Sequence, residues 1–142
     1  IWRKELRPDS GGAGEHRGGL GQYMDIGAAE GHEFDISAML DRIDHPARGR
    51  RGGENGGATQ IAREDGSAMH GKGRQFVPHG GRVKMAFPGG AGYGAPKERN
   101  AAAVKRDLAL GYISTKIAVE TYGLSDREAD DILARARKGE VF

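Results

Sequence analysis

Residues 6–22 read Leu-Arg-Pro-Asp-Ser-Gly-Gly-Ala-Gly-Glu-His-Arg-Gly-Gly-Leu-Gly-Gln, and this stretch limits the fold more than any other. Six glycines (Gly11, Gly12, Gly14, Gly18, Gly19 and Gly21) alternate with charged and polar side chains, a mixture that suits neither a helix nor a core strand. Glycine admits positive φ and lets two backbones approach closely. Successive glycine N–H groups in a tight turn can also form a concavity for an anion, to which Arg7 or Arg17 adds a guanidinium fork. A glycine-rich turn between strands is the plainer alternative. The phosphate-loop pattern Gly-x-x-x-x-Gly-Lys-Ser/Thr is absent, and the glycines at 12 and 14 lack the strand-to-helix setting of a dinucleotide fingerprint.

Glycine makes up 25 of the 142 residues, against a usual share of ~7%. The chain should therefore be rich in loops, with one domain and a thin core. Twenty-two basic and 20 acidic side chains leave a net charge of +2, too small to call for nucleic acid. No cysteine is present, which removes disulfides, thiolate metal sites and a cysteine nucleophile. No apolar run approaches the length of a membrane span and no secretory leader is visible, so a cytoplasmic protein without a membrane partner is expected.

Taken in order, residues 1–6 read as an edge strand ending at Arg7-Pro8, where proline holds its predecessor extended. Leu20, Met24 and Ile26 share the period of a half-buried strand. Phe34, Ile36, Ala38 and Leu40 repeat it, although Ile36, Met39, Leu40 and Ile43 also fit a helical face; the β-rich surroundings favour strand. Residues 44–57 hold no large apolar side chain and form a long loop carrying Arg48, Arg50 and Arg51. A solvated loop and a contact with an anion or partner subunit both remain open there. No aromatic residue is interleaved to stack a base, so nucleic acid is not expected. Short strands follow at 59–63 and 75–77. Pro78-His-Gly-Gly81 then predicts a hairpin into a strand with Val83, Met85 and Phe87 on one face. The five histidines, at 16, 32, 45, 70 and 79, show no ligand spacing, and no metal site is expected.

A second glycine block, Pro88-Gly-Gly-Ala-Gly-Tyr-Gly-Ala-Pro96, leads from this strand into helix, an order that can set backbone donors at a helix N-terminus. Gly89, Gly90 and the ring and hydroxyl of Tyr93 are its candidate contacts. Close packing of this block on the first is the structural alternative. Helices are expected over 97–110, stopped by Gly111; from Ser114 to Gly123; and from the capping box Ser125-Asp-Arg-Glu128 onward. The expected fold is α+β: a β-rich body of short, mostly antiparallel strands with glycine-rich loops over residues 1–96, then a small helical segment over 97–142. A helix-turn-helix reading of that segment is opposed by Asp126, Glu128, Asp130 and Asp131, which would meet phosphates with negative charge.

Glu5-Leu-Arg-Pro-Asp-Ser-Gly-Gly-Ala-Gly and Arg17-Gly-Gly-Leu-Gly, followed in order by the 88–96 block, Glu98-Arg-Asn, Val104-Lys-Arg-Asp, Gly111-Tyr-Ile-Ser and Tyr122-Gly-Leu, resemble the C-terminal part of the hydantoinase B/oxoprolinase family. Glu15 stands where the family pattern carries a basic residue. The resemblance implies the tail of a longer subunit that opens cyclic amides such as hydantoin, N-methylhydantoin or 5-oxoproline. By the same resemblance that subunit is expected to work at the expense of ATP with a divalent metal, in a hetero-oligomer with an A-type hydantoinase subunit. It implies no cofactor in this part of the chain, and little activity of this part alone. Ring opening needs a stabilised oxyanion, for which the resemblance nominates Arg17, with Asp9 or His16 as base, and Ser10, Gly11, Gly12, Gly18, Gly19, Gly89, Gly90 and Tyr93 as substrate or anion contacts. A non-catalytic module contacting the A-type subunit, and the equivalent part of a ketone carboxylase, are the alternatives.

Overall fold

The computed structural model describes residues 1–140. Six strands precede the helices: β1 (Arg3–Leu6), β2 (Gln22–Gly27), β3 (Phe34–Met39), β4 (Gln60–Arg63), β5 (Lys72–Val77) and β6 (Arg82–Ala86). Four of them form an antiparallel sheet in the order β1-β2-β6-β4, while β3 and β5 form a separate antiparallel ribbon. The fold is α+β, and β1 lies at a sheet edge as its sequence implies.

The period-two pattern of β3 resolves its helix-or-strand ambiguity. Ala38 is buried and Phe34 and Ile36 are partly so, while Asp35, Ser37 and Met39 face outward. The inward residues close a core with Ile61, Val77, Val83 and Met85, sealing sheet against ribbon.

The expected hairpin across residues 78–81 does not form. The chain does reverse there, with the Gly81 amide donating to the Pro78 carbonyl and Gly80 at φ 72°. The strands then part: β5 pairs with β3, whereas β6 inserts between β2 and β4. Val77 and Val83 are both fully buried in the same core. The turn thus carries the chain from one layer to the other, and apolar burial rather than turn chemistry selects the strand partners.

After a 3-10 turn at Pro96–Glu98 come α1 (Ala101–Ala109), α2 (Thr115–Glu120) and α3 (Asp126–Arg137). α1 starts later than its periodicity suggests because Asn100 caps it, its Oδ1 accepting from the Ala102 amide at 2.9 Å. Ser114 caps α2, and the Ser125/Glu128 box forms in both directions at α3. The amide and hydroxyl of Ser125 both donate to the Glu128 carboxylate, holding it below the usual carboxylate range. Val104, Leu108, Ile113, Ala118, Ala129 and Ile132 form a second core among these helices.

Candidate functional site

Between the two cores lie three segments, residues 9–21, 47–57 and 87–95, without helix or strand apart from isolated bridges. Their own main chains hold them together. Gly12 donates to the Gly90 carbonyl at 2.9 Å, Gly90 to Gly19 at 2.9 Å, Gly92 to Glu54 at 2.9 Å, Glu54 to Ala13 at 2.7 Å and Gly57 to Ser10 at 2.7 Å. The glycines allow these crossings. A Cβ on Gly12 would overlap the Glu54 carbonyl oxygen, and one on Gly89 would overlap that of Ser10, although neither residue has a positive φ. Close approach, rather than left-handed geometry, is what requires glycine here.

This arrangement occupies many of the donors nominated for an anion. The amides of Gly12, Gly18, Gly89 and Gly90 donate to carbonyls of Gly90, Gly12, Gly57 and Gly19. Gly11 is buried against Gly18, while Gly19 is exposed with open space beside its Cα. Ser10, 2% exposed, donates its hydroxyl to the Arg7 carbonyl at 2.6 Å and accepts from the Gly21 amide at 2.8 Å. Arg7 binds the Ala58 carbonyl at 2.7 Å.

Arg17 forms part of a buried ion triad. Its Nε donates to Asp107 Oδ2 at 2.9 Å and its Nη1 to the Gly18 carbonyl at 2.7 Å. Arg99 Nη2 meets the same carboxylate oxygen at 2.7 Å, and its Nη1 reaches the Glu15 carbonyl at 3.1 Å. Asp107 is 1% exposed, so its charge is met by two guanidinium groups instead of water. Beside them, burial pushes the Tyr122 phenol up from its ordinary value. Asp9, at φ 59°, binds the helical tail from the other side. Its amide donates to the Tyr112 carbonyl at 3.1 Å and its Oδ1 accepts from the Ser114 amide at 2.7 Å.

His16 and Tyr93 point elsewhere. They exchange main-chain hydrogen bonds at 2.9 and 3.0 Å, and their rings lie 6.2 Å apart on the exposed surface. The structure thus engages Asp9, Ser10 and Arg17 in contacts within the chain and leaves His16 and Tyr93 on exposed positions. Asp107 and Arg99 escaped the sequence reading as site residues. The available signal was an acid three residues after Val104 and next to Leu108 on the apolar stripe of a helix, where an unpaired carboxylate would be costly.

A separate cavity of ≈ 760 Å³ opens where the β3–β5 ribbon meets β4, with Leu40, Ile43, Ile61 and Met69 as apolar lining and Asp41 and His70 among its polar groups. A hydrogen bond from Lys72 holds the Asp41 carboxyl below its ordinary value. None of the nominated residues lines this cavity.

Among the described residues, no group of three or more His, Asp or Glu side chains is placed to hold a metal ion. The α1 N-terminus is filled by Asn100. The described residues thus offer no cluster of three such ligands, and Asn100 already occupies amides at that helix N-terminus. No helix among them is long and apolar enough to cross a membrane.

Fold and site together define an α+β unit in which a hydrogen-bonded glycine layer is clamped to a helical cap. The profile of the hydantoinase B/oxoprolinase family matches residues 1–96, and the chain belongs to that family. It is 30% identical over 135 residues to the caprolactamase beta subunit of Pseudomonas jessenii, covering 87% of this chain and 22% of that one. The crystal structure of the ATP-dependent caprolactamase from the same organism superposes with a TM-score of 0.72 at 25% identity, over 94% of this chain and 26% of that chain. An acetone carboxylase in its nucleotide-free structure shares the fold with a TM-score of 0.59 at 18% identity, over 96% of this chain and 24% of the other. The chain thus spans about a quarter of the length of each of these three proteins.

Proposed function

We propose that this chain serves in a subunit of an ATP-dependent cyclic-amide hydrolase, a hydantoinase, 5-oxoprolinase or caprolactamase type of enzyme acting with an A-type nucleotide-binding subunit. The observation that carries this reading is the likeness to the caprolactamase beta subunit along nearly the whole chain, in sequence and in fold. Cleaving an unstrained lactam requires an activated carbonyl and donors for the developing oxyanion. ATP supplies the activation when bound to the partner. This chain's share is positioning: the triad of Arg17, Asp107 and Arg99 and the Asp9 latch hold the glycine layer at one angle to the helices. Gly19, His16, Tyr93 and Asp9 are the nominated groups on exposed residues, and of these Asp9 is tied through Oδ1 to the Ser114 amide, which leaves the other three to meet substrate or partner.

A purely structural module is favoured by one specific observation, the engagement of Arg17, Ser10 and four glycine amides inside the chain. The test is ATP-dependent hydrolysis of hydantoin, N-methylhydantoin, 5-oxoproline and caprolactam by the full-length polypeptide with its A-type partner. Turnover of at least one is expected, and turnover of none overturns the reading. His16→Ala then separates the roles, because it removes an exposed side chain without touching the triad. Lost turnover with assembly intact places His16 at the reaction, and unchanged turnover leaves the module.

A further inference from the structure

We propose that His16, Arg50, Arg51 and Tyr93 form a binding site for an oxyanion, the phosphate or carboxylate group of a small ligand. Tyr93 lies between two neighbours, bridged antiparallel to His16 and parallel to Arg50. Bridged residues project their side chains to the same side of a sheet, so three segments set three exposed side chains in one row. The register is fixed by main-chain bonds: His16 and Tyr93 to each other, Arg50 to the Gly92 carbonyl at 3.1 Å, and Gly94 to the Arg50 carbonyl at 3.0 Å. The Arg51 guanidinium stands 5.8 Å from the Tyr93 ring centre and the His16 ring 6.2 Å from it.

The charge and backbone of the Arg50–Arg51 turn add to this placement. No described carboxylate lies within salt-bridge distance of Arg50 or Arg51, a condition they share with most arginines of the chain, so both guanidinium groups are available to an anion. Arg51 also sits at φ 49° in a tight turn closed by the Gly53 amide donating to the Arg50 carbonyl at 2.9 Å, with Gly52 at φ 88°. Glycine or asparagine would occupy that left-handed position at less strain. A strained arginine with no acid to bind, stacked near a tyrosine, is a group held ready for a ligand. Guanidinium forks match phosphate and carboxylate oxygens, and the imidazole N–H and phenol O–H add donors. Glu15 Oε1 lies 3.8 Å from His16 Nε2, so a bound anion competes with this carboxylate.

The site stands independently of the cyclic-amide reading, and its test reads binding, not turnover. The full-length polypeptide is titrated calorimetrically with inorganic phosphate and, separately, with acetate, at an ionic strength held constant with chloride. Saturable binding is expected. Arg51→Gly should weaken it about tenfold or more, the loss expected for a charge-assisted contact, while keeping or raising the thermal midpoint because glycine relaxes the turn. Glu15→Gln should tighten it. Phosphate binding well above acetate assigns a phosphorylated ligand, and equal binding assigns a carboxylate. The proposal is overturned if neither anion saturates, or if Arg51→Gly and Tyr93→Phe both bind as the parent does.

Discussion

In the helical tail, the contacts that hold the chain run between side chains: Leu108, Ile113 and Ile132 pack together, and Asn100, Ser114 and Ser125 cap the helices. In the glycine layer they run between main chains, with carbonyls and amides of residues 9–21, 47–57 and 87–95 bonded across gaps too narrow for a Cβ. The tail therefore tolerates substitutions that preserve apolar volume. The layer tolerates almost nothing at its crossings, since a single methyl group has no place to go. That rigidity suits a surface that must present Tyr93, His16 and Arg51 in one register.

The joint between the two regions should give the largest effect. Asp107→Ala leaves Arg17 and Arg99 buried without their carboxylate and should cost about 3–5 kcal/mol, read as a drop in the urea midpoint. A loss below ~1 kcal/mol would mean that the two regions do not depend on their ionic joint. Within the tail, Leu108→Ala should cost about 2–5 kcal/mol by opening a cavity at a position 1% exposed. Hydrogen exchange should quicken in α1 and α3 more than in the glycine layer; equal quickening in both would merge the regions into one cooperative unit.

Within the layer, Gly12→Ala should destabilise by about 1–3 kcal/mol through overpacking, whereas Gly19→Ala, facing open space, should stay within about 0.5 kcal/mol. Thermal midpoints of the pair measure how far close approach, and not glycine content as such, holds the layer. Equal effects would contradict the contrast. Smallest is the cap of α3, where Ser125→Ala should cost ~1 kcal/mol. The Glu128 pKa is depressed in the folded state. Its contribution is therefore present above the unfolded-state value of 4.5 and fades as pH falls through the folded value. A stability profile over acid pH should lose that slope in Glu128→Gln.

The tail was legible from local pattern because its determinants are local. Ser125 and Glu128 are three residues apart, and Gly111 and Gly123 adopt the positive φ that ends each helix. The strands were legible where period two placed small apolar residues inward, as at Ala38. The hairpin was misread because turn chemistry at residues 78–81 reports a chain reversal and says nothing of which sheet has an edge to fill. At the site, residue types pointed to anion chemistry in the glycine segments, but the carboxylate that holds Arg17 lies 90 residues away along the chain.

Composition and spacing alone therefore determined that the chain would have an α+β fold, capped helices and glycine segments held for backbone geometry. Each follows from steric and hydrogen-bonding preferences acting within a few residues. Only the tertiary structure decided that Arg17 and Asp9 would be bound to the helical tail while Tyr93, His16 and the Arg50–Arg51 turn faced outward. Those outcomes depend on which distant carbonyl, carboxylate or sheet edge is within reach once the two cores close.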